Sequence, residues 1–337
     1  MKKRGFGIAS IYYGIGNTGL PNPASVFLEV LEDGSVCVLC GASDMGQGSS
    51  TTLAQIVATG LGVPVETVRV TTADSDVTPD AGVSSGTRQT YVSGNAACVA
   101  ASQAGEIVGQ IAAEEFFYDV PVDEIRTEEG LVFPDNDRDA AVSFRDVVAA
   151  GRAAGQLIVG SGRFNPQNGK LDPETGQGEP YGAYAFGTQL AEVEVDTETG
   201  EVTVLRLRAA HDLGTAVNPQ SAEGQIEGGV SMGLGYATME EVLVEEGRLR
   251  TRSFTEYLIP TTLDMPVIEP VLVEEWEESG PFGAKGLGEP PACATAAAIL
   301  NAIYDAVGVR LDSLPATAEA VYLALRAKER ASTPAVL

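Results

Sequence analysis

The sequence predicts an α+β fold: two similar hairpin–loop–helix subdomains, with mixed sheets and packed helices. Three observations predict it. Residues 26–30 and 36–39 alternate around Glu32-Asp33-Gly34, which is a hairpin pattern. A polar glycine loop at 41–48 follows, and residues 49–60 then read as a helix ending at glycine. The same order recurs later. Residues 190–195 and 202–207 flank a turn at 196–201 containing Gly200, a loop follows at 211–219, and a helix spans about 222–234. The repetition suggests an old duplication. It sets a first subdomain at 1–160, a second at 161–330 and a tail at 331–337.

The other elements can be taken in chain order. Met1-Lys2-Lys3-Arg4 is basic, but the stretch after it carries glycines and tyrosines and lacks a small-residue cleavage site, so 6–13 is a strand of the mature fold. Residues 94–117 form a long alanine-rich helix. Residues 119–139 are acidic and turn-rich, with a short strand at Leu131-Val132-Phe133. A short helix spans 143–151. Residues 165–184 form a long surface loop, a length that is usually functional or mobile. An apolar run at 292–307 reads as a buried helix, and 317–329 as a last amphipathic helix.

Composition narrows the function. The chain has 337 residues, 21 basic and 47 acidic, for a net charge of −26 and a pI near 4.3. Such a charge argues against a nucleic-acid backbone or an anionic membrane surface as partner, and adaptation to high salt would also produce it. No run approaches the length of a membrane span, and a cytoplasmic location is expected. Of four cysteines, Cys37 and Cys40 are three apart on a strand and so face opposite ways. They read as reduced core residues, not as a metal or redox pair. His211, the only histidine, has no accompanying ligand set and reads as structural.

The chemistry concentrates in Gly286-Leu287-Gly288-Glu289-Pro290-Pro291. The prolines fix φ and remove donors, so Glu289 is held by stiff backbone at the mouth of a buried helix. A carboxylate partly desolvated there suits a general base, although it could equally cap the helix. Three glycine-rich stretches could cradle an anion: Asp44-Met45-Gly46-Gln47-Gly48-Ser49-Ser50, Ser84-Ser85-Gly86-Thr87-Arg88-Gln89, and Gly224-Gln225-Ile226-Glu227-Gly228-Gly229. In the first, backbone N–H groups can point at phosphate or oxo groups. In the second, hydroxyls and one guanidinium suit a phosphate. None matches a Walker loop or a dinucleotide fingerprint. Each could instead be a helix start that needs glycine for packing.

These residues carry a resemblance. Met45-Gly46-Gln47-Gly48, Asn218-Pro219, Gln225-Ile226-Glu227-Gly228 with Gly233-Leu234-Gly235, and Lys285 through Pro291 occur in the order found in the xanthine oxidase family of molybdenum hydroxylases. The chain resembles the C-terminal half of that family's molybdopterin-binding region. The run from Tyr12 to Ala24 looks like the medium molybdopterin subunit of nicotinate dehydrogenase. The resemblance implies a molybdopterin site between the two subdomains, in plain or cytosine dinucleotide form, and a terminal sulfido or selenido ligand on molybdenum. The metal is held through the pterin dithiolene, with no protein ligand. It assigns Gln47 to the apical oxo group. Met45, Gly46, Gly48, Ser84, Ser85, Gly86, Thr87, Arg88, Gln89, Gln225 and Gly288 go to the cofactor, Tyr13 to the substrate pocket, and Glu289 to the role of active-site base.

The implied reaction hydroxylates an electron-poor heteroaromatic ring, nicotinate first, with oxygen derived from water. The implied partners are a large molybdopterin-binding subunit, an iron–sulfur subunit with [2Fe-2S] centres and an FAD subunit. A purine or aldehyde hydroxylase with the same split, or a non-catalytic scaffold, are the rival readings.

Overall fold

The computed structural model describes residues 1–332. The first hairpin forms as expected: β2 (Ala24–Val30) pairs antiparallel with β3 (Val36–Cys40). The chain then crosses through α1 (Ser49–Leu61) to β4 (Val68–Thr72), which lies parallel to β3. The helix runs past Gly60 and stops at Gly62, whose φ of 69° makes the left-handed cap. The alanine-rich helix α2 (Gly94–Glu115) comes next in the chain. It leads to a small antiparallel sheet of β5 (Ile125–Glu128), β6 (Leu131–Pro134) and β7 (Val142–Ser143), of which sequence patterning predicts only β6. Helix α3 (Phe144–Ala153) is capped by Ser143, which accepts from the Asp146 amide at 3.1 Å. Strand β8 (Ile158–Phe164) completes a sheet ordered β4-β3-β2-β8.

Beyond the loop at 165–183 the wiring repeats. Strand β9 (Tyr184–Asp196) pairs antiparallel with β10 (Val202–Asp212). Helix α4 (Pro219–Thr238) and a two-stranded excursion, β11 (Val244–Glu245) with β12 (Arg248–Leu249), then lead to β13 (Val267–Val273), parallel to β10. The outer strand is β1 (Lys2–Gly14), antiparallel to β9, so this sheet runs β1-β9-β10-β13. The sheets therefore divide the chain differently from a cut at 160/161. Strand β1 belongs to the second sheet, and β8 crosses the cut. The segment 290–307 breaks at Ala294 into α5 (Pro290–Cys293) and α6 (Thr295–Val307), where the apolar run predicts one helix. The last helix, α7 (Ala318–Ser332), includes the first two residues of the expected tail; the rest of the tail lies outside the described residues.

A shared packing device supports the likeness of the halves. On β8, a Cβ at Gly160 or Gly162 would run into the backbone of Ala100 or Ala96, so α2 rests directly on the strand. On β1, Gly5 and Gly7 give α6 the same close seat, against Ala302 and Ala298. One apolar core lies under the first sheet, with Val26, Val38, Ile56 and Ala100. A second lies under the other, with Val193, Leu207, Ile226 and Ile303. On β3, Cys40 joins the first core while Cys37 faces the other way and is half-buried. Among the described residues no helix is long and apolar enough to cross a membrane.

Candidate active site

A cavity of about 620 Å³ opens where the loops after β3 and β10 meet the Gly286–Glu289 turn. This position, beyond the carboxyl ends of crossover strands, is where open α/β sheets bind ligands. Its walls include Met45, Gly46, Gln47, Ser84, Ser85, Thr87, Gln225, Gly288 and Glu289, so segments far apart in sequence converge as expected. Arg88 and Gln89 also touch it, and Gly86 stands at its edge through a hydrogen bond to Glu289.

Glu289 is built into a strained turn. Its φ of 135° is rare for a residue with a Cβ, and Pro290 and Pro291 stiffen the backbone on its C-terminal side. It occupies the N-cap position of α5, yet its side chain makes no capping bond. Instead Oε1 accepts from the Gly86 amide at 3.0 Å, and Oε2 accepts from the Tyr13 hydroxyl. Burial, and then the bond to Glu289, raise the pKa of Tyr13, so the phenol stays a donor. Tyr13 therefore meets the carboxylate rather than forming a wall of the main cavity. Thr87 Oγ1 donates to the Gly288 carbonyl, which ties the 84–89 loop to the glutamate turn. A buried pair, Lys285 Nζ to Asp212 Oδ2 at 2.6 Å, fastens the same turn to the end of β10.

Three expectations need correction. In the first glycine loop the amides of Gly46, Gly48 and Ser50 do not point at the cavity. They donate to the Asp44 carboxylate at 2.9, 3.2 and 2.9 Å. Burial opposes the charge of Asp44, but these bonds outweigh it and hold the carboxyl below its usual range. Gln47 likewise serves its own loop, accepting from Met45 N at 2.6 Å and donating to Ser43 O at 2.9 Å and Ser49 Oγ at 3.2 Å. Second, Arg88 is 1% exposed, and its guanidinium donates to Asn22 and to the carbonyls of Ala81, Val83, Asn22 and Pro23. Its five donors are spent, so it braces the loop and offers none to a phosphate. Gln89 is similarly committed to Val83 O, Ser84 and Ser93. Third, the stretch at 224–229 lies inside α4, not at a helix start.

The remaining wall suits an anionic, donor-seeking group. Among the described residues, the side chains of Ser85, Thr215, Ser221 and Gln225 line the cavity without a hydrogen bond. Among the described residues Glu289 is the only acid in the wall, in a chain with 47. Cβ atoms at Gly46 or Gly228 would meet nothing within 4 Å, so the glycines leave space rather than pack. These features fit a pterin-sized cofactor bearing phosphate. Sequence reading missed Ser221, Thr215 and Met232, which carry no motif. The role of Asp44 was missed too, although an aspartate two residues before a glycine is an Asx-turn signal.

His211 lies within β10, fully buried, not in the loop after it. Its pKa is pushed down to about 4 by burial. It stands apart from the cavity, as a structural residue does.

Comparison with known proteins identifies the fold. The molybdopterin cofactor-binding domain profile matches residues 1–266. The chain is 33% identical over 326 residues to a putative xanthine dehydrogenase molybdenum-binding subunit of Escherichia coli, covering 95% of this chain and 42% of the relative. It is 33% identical over 303 residues to the gamma subunit of the 6-hydroxypseudooxynicotine dehydrogenase complex of Paenarthrobacter nicotinovorans, covering 88% and 36%. The crystal structure of quinoline 2-oxidoreductase from Pseudomonas putida superposes with a TM-score of 0.87 at 28% identity, covering 96% of this chain and 42% of that one. The chain thus spans less than half the length of these relatives. A profile matched over most of the chain, with relatives of this identity, shows that it belongs to the molybdopterin-binding proteins of the xanthine oxidase family of molybdenum hydroxylases.

Proposed function

We propose that the chain is the molybdopterin-binding subunit of a multi-subunit hydroxylase that adds water-derived oxygen to an electron-poor heteroaromatic ring, with nicotinate as first substrate. The observation that carries it is Glu289. Among the described residues it is the only carboxylate in the cavity wall, and it is held by Gly86 and Tyr13 instead of capping a helix. When bound, the molybdenum cofactor supplies the redox change and the oxygen to be transferred. The chain's own contribution is position and proton transfer. Glu289 is the base, with Tyr13 and the Gly86 amide aiming its two oxygens. Ser85, Ser221 and Gln225 donate toward the pterin and its phosphate, while Gly228 leaves it room. Tyr13 also meets the substrate beside the base. Gln47 reaches an oxo group only if its amide turns out of its loop.

The partner reading is a large molybdopterin-binding subunit with iron–sulfur and FAD subunits. Support for a heteroaromatic substrate comes from the names of two similar proteins, a 6-hydroxypseudooxynicotine dehydrogenase and a quinoline oxidoreductase. The xanthine dehydrogenase relative favours a purine as the second reading. Purifying the native complex, measuring its molybdenum, and assaying nicotinate against xanthine and an aldehyde tests the proposal. Turnover of xanthine alone would replace nicotinate.

A further inference from the structure

Beneath the glutamate turn lies a polar cluster inside an otherwise apolar layer. Gln189 on β9, His211 on β10 and Thr295 at the start of α6 are each 0% exposed. The hydrogen bonds fix every orientation. The Pro291 carbonyl only accepts, so the Gln189 amide nitrogen faces it, at 2.6 Å. The Thr295 hydroxyl donates to Gln189 Oε1 at 2.6 Å and lies 3.1 Å from the same carbonyl. The second amide hydrogen of Gln189 points at His211 Nε2, 3.1 Å away, which must therefore accept. The imidazole is thus neutral with its proton on Nδ1, which has no partner among the described residues.

Burying a carboxamide, an imidazole and a hydroxyl together is costly unless they bond one another, and a network bonded in this way holds its members rigidly. Here two side chains, Gln189 and Thr295, converge on one carbonyl two residues from Glu289, and His211 bonds the first of them. Pro290 and Pro291 have no N–H, so the turn has few bonds of its own to resist relaxation of the strained Glu289 backbone.

We propose that Gln189 is a positioning residue, oriented by His211 and Thr295, that grips the Pro291 carbonyl and so holds Glu289 on the Gly86 amide and the Tyr13 hydroxyl. The inference rests on the reading of Glu289 as the base. A carboxylate released from this hold loses its aim, and misplacement of about 1 Å costs on the order of 10²-fold in rate.

The test uses the complete, molybdenum-loaded complex. Gln189→Met keeps bulk and removes the grip. The expected result is a fall in kcat of about 10²-fold, with KM, molybdenum content and assembly unchanged. Thr295→Val should lower kcat in the same way, and Thr295→Ser, which keeps the hydroxyl, should restore it. This pair carries the test where Gln189→Met does not fold. Combining Gln189→Met with Glu289→Gln should cost no more than Glu289→Gln alone, because both act through one group. A Gln189→Met enzyme within twofold of the parent, losses that multiply in the double variant, or activity that falls only with cofactor content would each overturn the proposal. A crystal structure of the Gln189→Met complex gives a readout independent of turnover. A displaced Pro291 carbonyl, with the Glu289 carboxylate off Gly86, supports the grip, and an unchanged turn overturns it. If Glu289→Gln itself keeps full turnover, the base reading has failed, and the crystal structure alone judges Gln189.

Discussion

Glu289 is the residue on which the proposed chemistry turns, and its backbone is the most strained feature of the site. A φ of 135° at a non-glycine costs on the order of 1–3 kcal/mol, which the surrounding bonds must offset. Replacing it with glutamine keeps size and hydrogen bonding but removes the proton acceptor. We expect Glu289→Gln to assemble and hold molybdenum while turnover falls about 10²–10⁴-fold. A loaded variant within a few-fold of the parent would refute the base, whereas a helix cap alone predicts a small stability loss and intact chemistry. His211 gives a second prediction at this scale. Its folded pKa of about 4 lies below the usual histidine value, so the unfolded chain takes up a proton first as pH falls. Its contribution to stability is complete above about pH 6.5 and is lost as pH drops toward 4, with about 2 kcal/mol gone at pH 5. His211→Gln should therefore lose less thermal stability than the parent between pH 7 and pH 5, and equal losses would show that other groups carry the effect. The two residues differ in how far they were legible. The flanking prolines marked Glu289, whereas only the packing of β9 against β10 shows what a lone histidine bonds. Arg88 is the opposite case. A guanidinium in a serine–glycine loop reads as an anion ligand until its five donors are traced inward to Asn22 and four backbone carbonyls.

At the scale of elements, α4 shows how one helix both packs and makes room. A Cβ on Gly229 would lie 2.6 Å from Pro291, and one on Gly233 would run into Thr295, so this face needs glycine to approach α5 and α6. On another face Gly228 borders the cavity with nothing within 4 Å. Two substitutions at Gly228 separate these roles. Gly228→Ala should stabilise α4 by up to about 1 kcal/mol through helix propensity. Gly228→Leu should project into the cavity and lower molybdenum content without lowering helix content in circular dichroism. Equal molybdenum in both variants would show that the cofactor lies elsewhere. The hairpins, the crossover helices and the convergence of loops were legible because period-two runs and glycine stops are local signals. Strands β5 and β7 were not, since four and two residues are too few to show a period. Nor did the sequence show that the stretch at 224–229 is helix interior. The reason for Gly229, the approach of Pro291, is a contact across more than 60 positions of sequence.

For the whole molecule, the repeated wiring of the two sheets places one cavity where their loops meet, and that cavity is open. The surface around it also calls for cover. The excursion between α4 and β13 exposes Phe254 at 76% and Leu263 at 95%, and carries a two-stranded hairpin of a size that is marginal by itself in water. Met232 and Tyr236 on α4 are exposed as well, and Met232 reaches the cavity. Exposed apolar area of this kind marks an interaction surface. A net charge of −26 opposes self-association, so the partner we propose is a different polypeptide, one supplying the remaining wall of the cofactor site. A ligand that needs both walls stabilises only the assembled pair. Expressed alone, the chain is expected to aggregate or to bind no molybdenum cofactor. Co-expressed with the large subunit, it should yield a complex with one molybdenum per chain, measured by elemental analysis after gel filtration. Stoichiometric cofactor on the isolated monomer would show that this chain encloses the site by itself, and the partner reading would fall with it.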